Sequence, residues 1–477
     1  MVIDFSNRKN RFITLEEIPE EYIQDINNRT LSDEYYPTYH IAPAHGLLND
    51  PNGLTFHNGE HHIFYQWFPL GPVHGLKHWY HLSTKNFVDF EDHGVALYPD
   101  NHYDRQGCFS GGALSINEDL YLYYTGNRRN EDGEFEQVQC LAIQRNNGKI
   151  QKIGPIIKHD PELTTLNFRD PVPFRRNQKT YLMVGGENLN HEGTILLYQQ
   201  KGESASYLNQ LQLQVGEFGN MWECPSYFEE DKHGVLIFSP QGVTSEDPME
   251  FNNVFSVVYF IGDPIDFELG VFHHDAYVEL DKGFDFYAPQ VYTDATNRHI
   301  LMGWLGNSKS EYPTDKNMWA HMLTIPREIR IKNRVLQQVP LEELKGLRKE
   351  RKELLSTQEL VDKAFEVDGT LEKSFSFEIS NELGENLRFY STGEHYVLDR
   401  SETSELHAER FGVVRHAVRN LTYNQDIRIF IDTSSIELFL EDGTIVFTSR
   451  FFLKGQWRIK VNGMTGSLYP LSSILIK

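Results

Sequence analysis

Three acidic side chains sit in short segments of turn-like composition. Asp50 lies in Asn49-Asp50-Pro51-Asn52-Gly53, Asp170 in Phe168-Arg169-Asp170-Pro171, and Glu223 in Trp222-Glu223-Cys224-Pro225. Brought into one pocket they could not all ionise freely, because like charge and burial raise at least one pKa. Two carboxyl groups with separated pKa values can cleave a glycoside: one attacks the sugar while the other protonates the departing oxygen. A third carboxylate can hold hydroxyl groups and stabilise the positive charge of an oxocarbenium-like transition state. Arg169, beside Asp170, could keep that third acid ionised. The backbone after Asp50 is stiff, since Pro51 fixes its own φ and biases Asp50 away from the helical region, while Asn52-Gly53 favours a turn. On this fragment alone, an Asp that merely opens a turn explains as much.

The rest of the chain supplies elements that could position these acids. Five segments share one layout: a polar or small residue in a turn, a short strand, a polar turn, then a more apolar strand. They are NDPNGLTFHNGEHHIFYQW from Asn49, FSGGALSINEDLYLYYTG from Phe109, RDPVPFRRNQKTYLMVGG from Arg169, ECPSYFEEDKHGVLIFSP from Glu223 and YAPQVYTDATNRHILMGWLG from Tyr287. The equivalent positions are Asp50, Ser110, Asp170, Glu223 and Ala288, and they recur about every 60 residues. That period suits four strands per unit and a β-propeller, here of five blades. Propeller blades repeat one orientation around a channel, so residues at one phase would meet at one rim. The three carboxylates would then share a mouth. Trp67, Trp79, Trp222 and Trp304 lie near these turns and offer apolar faces to sugar rings. Asn49, Gln66 and Ser110 offer hydrogen bonds.

Composition excludes several other classes. A chain of 477 residues with net charge −23 predicts two or three domains and argues against nucleic acid and anionic membrane surfaces as partners. No apolar run approaches the length of a membrane span, and the N-terminus lacks the apolar core of a secretory signal. Cys108, Cys140 and Cys224 are an odd set with no CxxC, so reduced thiols in a cytoplasmic protein are expected, without a disulfide framework or zinc site. His74, His78 and His81 stand at loose metal-ligand spacing, but the segment GPVHGLKHWYH has no helical period and HExxH is absent. No metal site is expected, and nothing in the sequence sets an oligomeric state.

After Pro326 the texture changes. LEELKGLRKERKELLST, residues 341–357, reads as a charged helical linker with a solvated face. Period-2 strands follow, among them KSFSFEIS, DIRIFIDT, SIELFLEDG and WRIKVNG, and LEDGT carries an Asp-Gly hairpin signal. The expected organisation is an N-terminal extension (1–34), a five-bladed β-propeller (35–340), a linker helix (341–357) and a β-sandwich (358–477), an all-β fold.

These motifs together, in this order, resemble glycoside hydrolase family 32, the β-fructofuranosidases. NDPNG looks like the family's nucleophile motif with Asp50, FRDP like its transition-state-stabiliser motif with Asp170, and WECP like its acid/base motif with Glu223. FSGG at 109–112 and YQW at 65–67 are similar to substrate-binding motifs, and SIELFLEDG to the sandwich signature. Two departures alter the pocket walls: Leu47-Leu48 precede Asn49 where many members have Trp-Met, and Tyr80 stands in HWYH where many have Gly. The resemblance implies retaining hydrolysis of a small fructoside through a fructosyl-enzyme intermediate on Asp50, with no metal or organic cofactor. Asn49, Gln66, Trp67, His74, Ser110, Arg169 and Trp304 are the expected substrate-binding residues. HGLKHW resembles the branch that acts on sucrose-6-phosphate, whose phosphate would need a basic pocket drawn from His45, His74, Lys77, Arg105 and Arg128. Sucrose itself, short fructo-oligosaccharides and fructosyl transfer are alternatives. So are an inverting arabinan or xylan hydrolase and a non-catalytic sugar-binding propeller.

Overall fold

The computed structural model describes residues 3–129, 133–420 and 425–477. Among the described residues the fold is all-β apart from one α-helix: a β-propeller followed by a β-sandwich-like sheet. Among the described residues, those from 46 to 340 form five separate sheets. Their first long strands are Gly46–His57, Cys108–Phe109 with Ala113–Ile116, Phe168–Arg176, Met221–Glu230 and Tyr287–Thr293. Each pairs antiparallel with the next strand in the chain, as the five quoted segments require.

The second strands read as nearly continuous apolar runs because both their faces are covered. Residues 61–68 of Glu60–Phe68 and all of His299–Leu305 are buried. The cores lie between successive sheets. Phe64 and Trp79 meet Leu122 and Tyr124; Tyr123 and Leu141 meet Leu182 and Val184; Met183 and Leu197 meet Leu236 and Phe238. Val235 and Ile237 meet Leu301 and Trp304, and Ile300 and Met302 return to Ile63 and Leu82 of the first sheet. Hydrogen bonds follow the same circuit. Gly53 N donates to Gly111 O (3.1 Å), Gly112 N to Pro171 O (2.9 Å), Cys224 N to Asp170 Oδ2 (2.9 Å) and Val291 N to Ser226 Oγ (3.1 Å). Gln290 then donates back to Gly111 O (2.6 Å).

The NDPNG segment is not a turn. It lies inside strand Gly46–His57, whose register shifts between Leu48 and Pro51 and again between Asn52 and Thr55. Irregularities occur at the same place in other first strands: Asp170-Pro171, Cys224-Pro225 and Ala288-Pro289 all fall in register shifts. Proline has no N–H for the ladder and is tolerated in a sheet at a bulge. The bulge residues Asp170, Cys224 and Ala288 take positive φ (67°, 49° and 47°), at a cost of about 1–2 kcal/mol each. This pattern corrects the expected phase. Asp50, Asp170, Cys224 and Ala288 correspond, whereas Glu223 stands one residue earlier, in line with Asn49, Arg169 and Tyr287.

The 341–357 segment is also different from expectation. It forms only a 3-10 turn, Glu342–Leu347, whose Leu344 and Leu347 are buried. Beyond it Lys352–Glu353 and Thr357–Glu359 pair with strand Arg458–Pro470. The charge run does not stay helical because Arg348 is drawn to Glu366 (2.7 Å) and Asp368 (2.9 Å), and the strand edge satisfies the backbone that follows. In the C-terminal sheet the 16-residue strand Phe365–Ser380 pairs with Gln425–Asp432 over its first half, Asn386–Ser391 over its second, and Arg458–Pro470 over both. Ser435–Leu440 and Ile445–Arg450 form the expected hairpin around Asp442-Gly443.

This sheet packs on the propeller through Phe430, Phe439 and Val446, and through a buried ionic network. Arg327 donates to Glu437 (2.6 Å), and His40 lies between Asp432 (2.8 Å) and Glu437 (2.9 Å). All four side chains are fully buried, so each charge depends on its partners being held in place. The N-terminal residues form two 3-10 turns and a helix, Glu20–Leu31, which turns Tyr22, Ile26 and Thr30 inward at a spacing of four. Among the described residues, no helix is long and apolar enough to cross a membrane.

Candidate active site

The shifted register explains how three acids from three strands come to interlock. The bulge residues form one set of contacts. Cys224 N donates to Asp170 Oδ2 (2.9 Å), and the buried Cys224 thiol lies 3.5 Å from Asp170 Oδ2 and 3.9 Å from Asp50 Oδ2. Thr125 Oγ1 accepts from Asp170 N (2.9 Å), fixing the bulge from the neighbouring sheet. The preceding residues form a second set. Arg169 Nε and Nη2 donate to Glu223 Oε1 (2.8 and 2.7 Å), while Tyr287 O–H and Gln241 Nε2 each donate to Oε2 at 2.5 Å. Glu223 therefore accepts on both oxygens, and its partners come from its own strand pair and from the strands on either side.

Asp50 is held from the other direction. Ser110 Oγ donates to Oδ2 (2.5 Å) and Asn49 Nδ2 to Oδ1 (3.1 Å). Gln66 donates to Ser110 and accepts from Asn49 (3.0 Å), so Asn49, Gln66 and Ser110 form one relay beneath the carboxylate. Behind Asn49 the Lys77 ammonium donates to Oδ1 at 2.6 Å. The space these groups enclose is a pocket of about 500 Å³ lined by Asn49, Asp50, Gln66, His74, Lys77, Arg169, Asp170, Glu223, Gln241, Tyr287 and Trp304, with Phe12, Phe109 and Phe135 among its apolar walls.

Burial and proximity set the protonation behaviour. Asp170 is held well above the ordinary carboxylate range by burial first and the Glu223 charge second, against the pull of Arg169. Burial also raises Asp50, with Ser110, Asn49 and Lys77 working against the rise. Lys77 is pushed down to about 7 by its own burial, with Asp50 opposing. The Cys224 thiol is driven up by burial and the two acids, so it stays neutral.

Not every expected residue reaches the pocket. Trp67 does not line it: its indole donates to His45 O (2.8 Å) and its ring stands against His45 and Tyr80. Trp79 and Trp222 are core residues, bonded to Phe109 O (3.0 Å) and Phe218 O (2.7 Å). Trp304 does line the pocket, with His74 against its edge. Ser110 acts on Asp50 from below. Of the five basic candidates, only His74 and Lys77 line the pocket. His45 is bonded to Pro69 O (2.7 Å), Arg128 is paired with Glu136 (2.5 Å), and Arg105 is exposed. His74, His78 and His81 do not converge; His81 bonds His62 (2.9 Å) and His78 bonds Leu76 O (3.0 Å). Among the described residues no group of three or more His, Cys, Asp or Glu is placed to hold a metal ion.

Sequence reasoning missed Tyr287 and Gln241. Tyr287 was visible in principle, since it precedes Ala288-Pro289 as Glu223 precedes Cys224-Pro225. Gln241 lies on the partner strand and carried no motif.

Lys77 yields a direct expectation. Its hydrogen bond orients the Asn49 amide, and its charge lowers the pKa of Asp50. In Lys77→Met the pKa of Asp50 rises, so the acidic limb of kcat/KM moves to higher pH. A charge-assisted bond of about 1.5–3 kcal/mol is lost, giving about a 10- to 150-fold drop in kcat/KM. A pH–rate profile of the variant checks both; an unmoved limb would remove Lys77 from this role.

Comparison with known proteins agrees with this geometry. The model of the glycosyl hydrolases family 32 N-terminal domain matches residues 40–340, and that of the family 32 C terminal matches 329–467. A sucrose-6-phosphate hydrolase of Vibrio alginolyticus is 42% identical over 473 residues, covering 97% of this chain and 96% of the relative. One from Staphylococcus xylosus is 34% identical, covering 97% and 96%. The solved sucrose-6-phosphate hydrolase from Lactobacillus gasseri superposes with a TM-score of 0.94 at 30% identity, over 98% of this chain and 100% of that one. A family 32 β-fructofuranosidase from Bombyx mori gives 0.85 at 29%, over 96% and 98%. With two family models spanning most of its length and the three acids interlocked at one pocket, the chain belongs to glycosyl hydrolase family 32.

Proposed function

We propose that this protein is a retaining β-fructofuranosidase that hydrolyses sucrose-6-phosphate and sucrose, and that the five sheets are the five blades of one propeller around the acid pocket. The circuit of cores and hydrogen bonds from the first sheet to the fifth and back supports the blade count. The observation that carries the reaction is the division of the acids. Asp50 is presented on a relay of neutral donors, whereas Glu223 lies between Arg169, Gln241 and the Tyr287 hydroxyl, which can turn to accept when Glu223 carries the proton it donates.

In this reading Asp50 attacks the anomeric carbon of the fructosyl unit as Glu223 protonates the glycosidic oxygen, and the bond to the departing sugar breaks. A fructosyl ester on Asp50 results. Glu223 then takes a proton from water, the water oxygen attacks the same carbon, and Asp50 is released with configuration retained. Asp170, aligned by Cys224 N and flanked by Arg169, holds sugar hydroxyls and stabilises the positive charge of both transition states. Asn49, Gln66 and Trp304 position the fructosyl ring. His74 and Lys77 are the two basic candidates lining the pocket, and a phosphate on the other sugar would meet them there, His74 as a neutral imidazole because burial pushes its pKa well down. No metal or organic cofactor enters these steps. Three buried, unpaired cysteines and a phosphorylated substrate suit the cytoplasm.

The test is kcat/KM on sucrose-6-phosphate, sucrose and 1-kestose side by side, with product anomer followed by NMR. The expected result is retention and at least a tenfold preference for the phosphorylated sugar, about 1.4 kcal/mol. Equal or better rates on sucrose would return His74 and Lys77 to holding the pocket wall. An inverted product would sink the nucleophile assignment.

A further inference from the structure

Residues 3–17 precede the part of the chain that the family models match, yet they complete the pocket. Phe12 lines it, and its ring stacks on that of Phe135 with centroids 6.2 Å apart and planes 29° from parallel. The two rings come from opposite parentage: Phe12 from the N-terminal segment, Phe135 from the second sheet. They meet at the rim, since Phe135 is the first residue of its strand and is itself 41% exposed.

The segment is seated, not draped. Phe5 stands edge-on to Phe68 (5.7 Å), and it fills the space over Gly71, where a Cβ would come within 2.4 Å of its ring. Arg11 Nε donates to Phe5 O (2.9 Å), which closes the intervening turn on itself. Leu76 N then donates to Arg11 O (2.7 Å). This last bond fastens the segment to the stretch that carries His74 and Lys77. Gly75 is needed there, because a Cβ would lie 2.7 Å from Arg11 O.

A substrate whose fructosyl unit reaches the three acids must extend its remaining part toward the rim. We propose that the N-terminal segment is the wall that ends the pocket on this side, and that Phe12, backed by Phe135, is a specificity-determining residue that favours disaccharides over longer fructosides. Two stacked rings offer an apolar face to the sugar beyond the reacting bond and block the path a third unit would take. The inference rests on the reading of the reaction given above and adds to it the length of substrate accepted.

The experiment compares full-length wild type, Phe12→Ala, Phe12→Tyr and Phe135→Ala on sucrose and on nystose, a tetrasaccharide of the same linkage class, with Tm measured for each. Wild type is expected to favour sucrose at least tenfold in kcat/KM. In Phe12→Ala that ratio falls at least fivefold, chiefly through a higher KM for sucrose and a lower one for nystose, and Phe12→Tyr restores it. A purely structural role for Phe12 would lower Tm and both rates together and leave the ratio alone. Should Phe12→Ala fail to fold, the more exposed Phe135→Ala makes the same test. An unchanged ratio in folded variants, or a wild type indifferent to length, overturns the inference while leaving the hydrolase reading intact. A wild type that cleaves neither of these sugars nor sucrose-6-phosphate overturns the hydrolase reading itself.

Discussion

Asp50→Asn is expected to lose about four or more orders of magnitude in kcat, since loss of a covalent nucleophile leaves only binding and electrostatic stabilisation. The substitution keeps the side chain's shape and its bond from Ser110 and gives up only the 3.1 Å bond from Asn49, which the new NH₂ cannot accept, so Tm should stay within a few degrees of wild type. Glu223→Gln removes the proton donor and should cost about 10²–10⁴-fold. Its structural effect is larger, because Glu223 accepts from Arg169 on one oxygen and from Tyr287 and Gln241 on the other. An amide must turn its NH₂ toward one of those donors, so a modest drop in Tm accompanies the loss. The two variants differ in a further readout. A fructoside with a good leaving group needs little protonation, so it should recover much of the Glu223→Gln rate and none of the Asp50→Asn rate. Turnover near wild type in either variant would remove the assigned role.

Asp170→Asn should reduce kcat/KM by about 10³-fold or more, through loss of the charge that faces the developing cation. Asn is the informative substitution here. Asp170 takes φ 67°, a region that Asn tolerates and most residues do not, and an amide oxygen can still accept from Cys224 N. The fold of the bulge therefore survives while the charge is lost. A variant with near-normal kcat would contradict this assignment.

Much of the site was legible as types and spacing. Asp50, Asp170 and Ser110 stand directly before a proline or glycine, and Asn49, Arg169 and Glu223 stand two residues before a proline that marks a break in strand geometry, whereas Gln66 is legible only through its YQW segment. What could not be read was the register. The segments were aligned as turns, with Glu223 in phase with Asp50, yet the bulges place Cys224 there. One residue of slip decides which side chain meets which partner, since successive residues in a strand face opposite ways. That slip sets Glu223 beside Arg169 and Tyr287 and leaves Cys224 between Asp50 and Asp170. The tryptophans failed for a related reason. Proximity in sequence to a reactive turn does not fix the side of the sheet a ring occupies, and Trp67, Trp79 and Trp222 are turned into cores. The charged run after Leu341 misled because local composition favours a helix, whereas a nearby strand edge and the Glu366 carboxylate determine its path.

The residues themselves therefore determined the chemistry and the repeat. Carboxyl groups in proline-bounded segments, recurring with aromatic and β-branched strands between them, leave few alternatives to acids gathered around a channel. Tertiary structure alone decided who holds each acid, which tryptophan touches the pocket, and that Phe12 of the N-terminal segment lines it. These depend on contacts between segments up to hundreds of residues apart, whose geometry comes from sheet register and packing and has no local signature in the chain.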